Sequence, residues 1–376
     1  MNQPVRVLHF LKQLEPGGVE TWLLNVLRNI DRERFQLDFL VQTDTPGVYD
    51  DEVKALGARV ISCPGNPQSP AYAGQLYKAI LQAGPYDVIH SHTYLFSGQV
   101  MRIAAGLGIP VRIAHTHTTR ARSRQTGMMR RLYDTIMRRW INRYATDLIC
   151  CSPAACELTF GFLPEADARV AVVPCGVDLS RFNVIASREE FRIQLGLPVD
   201  ALVVGHVGSL SAPKNHDLLL QAFAQVLAQH PEAWLLLVGD GPRRGELEAL
   251  AVELNIAHRV NFLGLRRDVP QVLQVMDVFA MPSTHEGVPV AAVEAQAAGL
   301  PCVFSEAVPA DGIAVEAQIH RLSSSDSNSA WADAIIKMAG QFIPVEQAVE
   351  KVRVTPLALD YGINILERIY SSGSMR

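Results

Sequence analysis

The sequence contains no apolar run close to the ~18 residues that a membrane-spanning helix requires, so no transmembrane segment is expected. Its opening, MNQPVRVLHFLKQLEPGG, lacks a basic leader, a long apolar core and a small-residue cleavage site, and is not expected to act as a secretory signal. There is no C-x-x-C pair among Cys63, Cys150, Cys151, Cys156, Cys175 and Cys302, and their spacing is irregular. Free, buried thiols in a reducing cytoplasm are therefore expected. Positive charge is not in excess: the formal net charge is −4, which gives no global reason to expect nucleic acid as a partner. A complete dinucleotide fingerprint is missing too. In GDGPRRG (239–245) the third glycine comes one residue late, and the next apolar run, RVNFLGL, is not closed by an acid that could hold a ribose.

What is present is length and rhythm. A chain of 376 residues with 48% apolar residues exceeds one ordinary core and suggests two domains. Short runs rich in Val, Ile, Leu and Phe alternate with stretches of helical period. VRVLHFL (5–11), FQLDFLV (35–41), ARVISC (58–63), YDVIHSH (86–92) and VRIAHTH (111–117) form a first series, and Trp22, Leu23, Val26, Leu27 and Ile30 mark one helical face within it. ALVVGHVG (201–208), AWLLLVGD (233–240), RVNFLG (259–264), DVFAMPS (277–283) and PCVFSE (301–306) form a second. Such alternation predicts parallel sheets covered by helices on both faces. The predicted organisation is an N-terminal Rossmann-like domain over 1–180 and a second over 181–353. A helix within 354–376 is expected to pack back across the junction. Two facing domains of this kind would leave a cleft, with ligands beyond the carboxyl ends of the strands.

Three stretches at those ends carry candidate chemistry. In VGSLSAPKNH (207–216) small residues permit close backbone approach, and Lys214 could answer a phosphate; an ordinary loop with a solvated lysine is the alternative. Gly17 and Gly18 precede a helix, where backbone amides and the dipole favour an anion, although a plain turn reads equally well. In STHEGVPVAAVEAQAAGLP (283–301), Glu286 lies in a loop and Glu294 about one turn into a helix of Ala and Val. That helix should be buried, and a carboxylate in it needs a partner. A structural salt bridge or an acceptor for sugar hydroxyls would each supply one, while amides at the helix start could face a phosphate.

Two H-x-H pairs end strands, His90 with His92 and His115 with His117. Without a carboxylate motif beside them they read as structural histidines, and no metal is expected. Between Arg120 and Arg143 lie eight arginines and one acid, Asp134, interleaved with Met128, Met129, Leu132, Tyr133, Ile136, Met137, Trp140 and Ile141 at helical spacing. The stretch predicts an amphipathic helix packed on the sheet with a solvated basic face, or a surface that docks on anionic lipid or a lipid-linked acceptor.

Taken in order, GGVE, VVPCGVDLSRF, VGSLSAPKNH, GDGP and the Glu286-x7-Glu294 pair resemble family 4 of the retaining glycosyltransferases, whose fold is GT-B. GGVETWLLNVLRNIDRERFQLDFLV, IHSHTYLFSG and RIAHTHTT resemble its exopolysaccharide-biosynthesis branch. The resemblance implies a UDP- or GDP-sugar donor on the C-terminal domain, a saccharide or lipid-linked acceptor, and no cofactor or metal. It implies that Lys214 and the amides around Gly287 and Val288 face the diphosphate, with Gly17, Gly18 and Gly241 also on the donor side. Glu294 would hold the ribose, Glu286 would lie near the donor sugar, and backbone at Phe262, Leu263 and Gly264 would meet the base. His117, or else His115, would lie near the donor sugar. Work at the cytoplasmic membrane face is implied as well. One departure stands out: where the family usually has an arginine, this chain has Ser209. Either Arg243, Arg244, Arg266 or Arg267 compensates, or the chain is a catalytically impaired sugar-nucleotide-binding protein that acts as a partner or regulator.

Overall fold

The computed structural model describes residues 3–67, 69–118, 127–182 and 187–372. The chain divides into two compact units, Met1–Gly176 with Leu359–Arg376, and Val177–Ala358. The boundaries fall at 176/177 and 358/359 rather than at 180/181 and 353/354, and the terminal helix Leu359–Ser371 is part of the first unit rather than a separate element.

The first unit holds seven parallel strands: β1 (Val5–Leu11), β2 (Phe35–Val41), β3 (Val60–Ser62), β4 (Val88–Ser91), β5 (Val111–Thr116), β6 (Asp147–Cys150) and β7 (Val170–Val172). Their order is β3-β2-β1-β4-β5-β6-β7. The run Val7–Leu11, apolar except for His9, is buried, as expected of a parallel strand covered by helices on both faces. Trp22, Leu23, Val26 and Leu27 of helix Gly18–Asn29 are buried, as the helical period predicts. The short strands β6 and β7 were not predicted; one opens on an aspartate and the other is three residues long. In the middle of β2, the fully buried Asp38 accepts from Arg59 at 2.6 Å and from the Tyr86 hydroxyl at 2.9 Å. Those donors hold its carboxyl below the usual range against the opposing effect of burial.

The second unit holds β8 (Val203–Val207), β9 (Trp234–Val238), β10 (Val260–Gly264), β11 (Val278–Met281), β12 (Cys302–Ser305) and β13 (Ile319–Leu322), again all parallel, in the order β10-β9-β8-β11-β12-β13. β13 was not predicted: IHRL has no apolar run. Asp277 braces the foot of this sheet, accepting from Arg188 at 2.7 Å, Arg192 at 2.8 Å and the Val203 amide at 2.7 Å. In both units the strand order reverses, between β1 and β4 and between β8 and β11. Such a reversal opens a crevice beyond the carboxyl ends of the strands.

All six cysteines are free and buried. Among the described residues no helix is long and apolar enough to cross a membrane.

Candidate active site

The loops that leave β8 and β11 meet at the reversal in the second unit. After β8 the chain makes a short 3-10 turn, Ala212–Lys214, and Asn215 takes the left-handed conformation (φ 54°) before helix His216–Gln229. After β11, the Thr284 amide donates to the Pro213 carbonyl at 2.8 Å, and Asn215 donates to the Pro282 carbonyl at 3.2 Å. The loops are thus tied together, and across them Lys214 Nζ meets Glu286 Oε1 at 2.6 Å. Both side chains are mostly shielded, 19% and 9% exposed. Lys214 is therefore not a solvated surface lysine.

Glu294 is the fifth residue of helix Val290–Ala297, and Pro289 is its N-cap. The glutamate is buried. Burial pushes its carboxyl up to about 7, and the Arg181 charge opposes that shift. Arg181 itself donates to the Arg267 carbonyl. Gly287 and Val288, half-buried, lie between Glu286 and the helix start.

A third loop packs on the first. The Leu210 amide donates to the Asp240 carbonyl at 3.0 Å, and the Arg243 amide to the Leu210 carbonyl at 3.1 Å. A Cβ on Gly241 would lie 2.5 Å from the Leu210 oxygen, so this glycine has a packing reason to be there. Phe262 and Leu263 are half-buried on β10, where the register with β9 shifts between Phe262 and Gly264.

Ser209 is exposed and bonds only as far as Ser211, Oγ to Oγ at 2.9 Å. Three of the four arginines expected as substitutes are already held by carboxylates. Arg243 forks onto Asp217 at 2.6 and 2.9 Å, Arg244 meets Glu248 at 2.8 Å, and Arg266 meets Asp268 at 2.8 and 2.6 Å. Two unpredicted histidines back the lysine. His206 on β8 and His216 at the helix start have ring centroids 4.7 Å apart. Burial, then the neighbouring positive charges, drives His206 well below the ordinary histidine range and His216 to about 4. Both are neutral at physiological pH, so Lys214 carries the charge beside them.

The first unit presents a different surface. Gly17 is the extended N-cap of helix Gly18–Asn29, but the Glu20 carboxylate occupies the space over it, 2.5 Å from where a Cβ would stand. The helix start thus carries its own anion. His115 and His117 belong to a cluster of five histidines: His9 on β1, His90 and His92 at the end of β4, and His115 and His117 at the end of β5. In-register pairing puts His9 beside His90, and alternation puts His90 with His92, and His115 with His117, on one face of the sheet. His9 went unpredicted because it lies in no H-x-H pair, and the buried thiol Cys175, 3.5 Å from His117 Nδ1, was expected only as a free cysteine. Burial holds all five rings well below the ordinary histidine range, His9 and His117 at about 3.

The arginine-rich stretch forms helix Met128–Tyr144; its residues 120–126 lie outside the described residues. Only Met137 and Ile141 of the expected apolar face are buried, whereas Met128, Met129 and Leu132 are 86%, 79% and 53% exposed. Arg138 turns inward and donates to the Thr159 and Leu158 carbonyls at 3.0 Å. Arg131, Arg139 and Arg143 remain exposed.

Two parallel-sheet α/β units are the architecture of the GT-B class. Family comparisons agree along the chain: "Glycosyltransferase Family 4" matches residues 16–181 and "Glycosyl transferases group 1" matches residues 187–341. EpsF of Bacillus subtilis (strain 168), a glycosyltransferase by name, is 36% identical over 352 residues, 92% of this chain and 91% of EpsF. The chain belongs to family 4 of the glycosyltransferases, in the branch that contains EpsF. An Escherichia coli UDP-Gal:alpha-D-GlcNAc-diphosphoundecaprenol alpha-1,3-galactosyltransferase is 29% identical, covering 81% of this chain and 80% of that one. The crystal structure of Anabaena HepE in complex with UDP superposes with a TM-score of 0.77 at 22% identity, covering 98% of this chain and all of HepE, a likeness of fold.

Proposed function

We propose that the protein is a retaining glycosyltransferase that moves a sugar from a UDP-sugar to a saccharide or lipid-linked acceptor in exopolysaccharide synthesis, in the cytoplasm and with no metal at the diphosphate. The Lys214–Glu286 pair at the β8/β11 reversal carries this reading. Departure of the diphosphate builds negative charge, and a shielded ammonium stabilises that charge more strongly than a solvated one. In the absence of donor, Glu286 holds the lysine in place. With donor, the diphosphate competes for the ammonium while Glu286 stays beside the sugar. Glu294 accepts from the ribose hydroxyls, and the amides at Gly287 and Val288 assist at the phosphate. UDP as the leaving nucleotide is supported by the names of the galactosyltransferase relative and the HepE complex. Calorimetric titration with UDP and GDP, followed by donor turnover, tests the proposal. UDP is expected to bind more tightly and donor to be consumed; loss of neither in Lys214→Ala would overturn the assignment.

One observation favours a second reading. With Ser209 in place of an arginine and Arg243, Arg244 and Arg266 held by carboxylates, Lys214 has little cationic help. Binding of UDP without turnover across a broad donor and acceptor panel would make the protein a sugar-nucleotide-binding partner or regulator.

The exposed end of helix Met128–Tyr144 supports a peripheral membrane contact. Met128, Met129 and Leu132 present apolar surface beside exposed Arg131, with exposed Arg139 and Arg143 further along the same helix, a combination suited to anionic lipid. Co-sedimentation with anionic vesicles is expected to fall when the three arginines become glutamine. The histidines of the first unit take no part in this reading.

A further inference from the structure

The histidines of the first unit are bonded to their neighbours. His9 Nδ1 contacts His92 Nε2 at 3.0 Å, His92 Nδ1 contacts His117 Nε2 at 2.9 Å, and the Tyr370 hydroxyl contacts His90 Nδ1 at 2.9 Å. His206, the next-to-last residue of β8, differs. It is fully buried, yet only half of its ring is satisfied. Its Nδ1 lies 2.8 Å from the Ala280 carbonyl. A carbonyl can only accept, so Nδ1 carries the hydrogen and Nε2 is left with a lone pair. That lone pair is buried and has no donor, which costs stability. The ring is held where it is by Phe279, stacked at 6.0 Å with planes 12° apart, and by His216, edge-on at 4.7 Å.

The Lys214 side chain meets this lone pair at Gly208. A Cβ on that glycine would stand 3.0 Å from His206 Nε2, 3.4 Å from Lys214 Cε and 3.5 Å from Lys214 Cδ, so ring and lysine stem close on each other only because no side chain comes between. An ammonium has three N–H groups and no lone pair. In the structure it meets Glu286. We propose that His206 is a positioning residue for Lys214: when a donor diphosphate draws the ammonium off Glu286, one N–H turns to His206 Nε2 and fixes the lysine against the phosphates. The assignment rests on the transferase reading of Lys214. With Ser209 in place of an arginine, and Arg243, Arg244 and Arg266 held by carboxylates, the placement of this one cation carries more of the catalysis. A neutral acceptor suits the task. A carboxylate would offset the ammonium's charge, whereas an imidazole lone pair orients the ammonium and leaves its charge for the leaving group. His216, whose two ring nitrogens also lack a partner, is the competing donor to His206.

Nitrogen NMR on full-length protein with isotope-labelled histidine gives the direct test. His206 Nε2 is expected to resonate as a bare, unprotonated nitrogen in the free protein and to move upfield, as an accepting nitrogen does, at saturating UDP. The shift should be absent in Lys214→Ala and present in His216→Phe. Turnover supplies the second readout. His206→Asn keeps an N–H for the Ala280 carbonyl and deletes the Nε2 acceptor. It should lower kcat about 10- to 100-fold, the size of a hydrogen bond to a charged group. UDP affinity should fall less, because the leaving charge is greatest in the transition state. His206→Gln, which returns an acceptor near the Nε2 position, should recover part of kcat. In a Lys214→Ala background, His206→Asn should cost nothing further. Tm shows that each variant folds. An Nε2 resonance that ignores bound UDP would overturn the assignment. So would a loss in His206→Asn that is as large without Lys214 as with it, or a shift that vanishes in His216→Phe. Wild-type protein that binds UDP and shows the Nε2 shift but turns over no donor would instead count against the transferase reading and support the lysine contact.

Discussion

The two sheets share a topology and reverse at the same place, yet their crevices are furnished in opposite ways. At the β8/β11 reversal stand a lysine, two glutamates and an arginine near one of them, with neutral His206 and His216 behind. Around the β1/β4 reversal the chain has placed five neutral imidazoles, a thiol and a tyrosine hydroxyl. The first arrangement suits a group whose charge changes during reaction, because formal charge in a shielded site is strongly felt. The second is a set of neutral rings hydrogen-bonded to one another. The same backbone solution thus supports two chemistries, and the side chains at three or four strand ends choose between them.

The largest test of this contrast is Lys214→Ala. Removal of the ammonium should lower kcat/KM about 10²- to 10³-fold, the size expected for one transition-state donor. Initial rates of donor turnover check the loss. Next is Glu294. Its carboxyl, raised to about 7 by burial, must ionise to accept fully from ribose hydroxyls, so UDP affinity should rise as pH increases through 7 and level off above. The stability sign is opposite: a carboxyl whose folded pKa lies above its unfolded one contributes stability that is lost as pH rises through 7. Glu294→Gln should weaken UDP by about 10- to 100-fold, from the ~1.5–3 kcal/mol of a charged hydrogen bond, and flatten the pH dependence; calorimetry at several pH values measures both.

Tyr370→Phe probes the other crevice. Its loss leaves His90 Nδ1 buried without the hydroxyl and should destabilise the first unit by about 1–3 kcal/mol. Thermal denaturation should show the loss, with UDP affinity unchanged. The smallest effect is expected from Ser209→Arg. Because Ser209 is exposed, the substitution should leave Tm unaltered and keep or raise turnover; a fall in turnover would mean that the lone lysine is the optimised state.

Much of this was legible before any coordinates. β1 and β2 have the predicted bounds, because apolar residues dominate both seven-residue runs. β6, β7 and β13 were not seen, since three or four residues give periodicity too little to work with. Lys214, Glu286 and Glu294 were picked from sequence as separate candidates, but their relation was not: positions 72 residues apart form the ion pair. The histidine cluster was read as two independent H-x-H pairs. His9 and Tyr370, 83 and 280 residues from their partners His92 and His90, carry no local signal at all. The amphipathic helix was half right. Its period is real, yet its first two turns leave their apolar side chains exposed.

The sequence by itself determined the class of fold and the family, since alternating apolar runs and ordered motifs are local properties that survive without coordinates. It also placed Ser209 at a position where the resemblance implies an arginine. Tertiary structure alone decided what the charged and titratable groups are: that Lys214 is shielded and paired, that three candidate arginines are already committed to carboxylates, and that five histidines share one neutral cluster. The physical reason is that charge state and partner depend on burial and distance. Both are set by which strands lie side by side, a matter of chain crossings that no stretch of sequence contains.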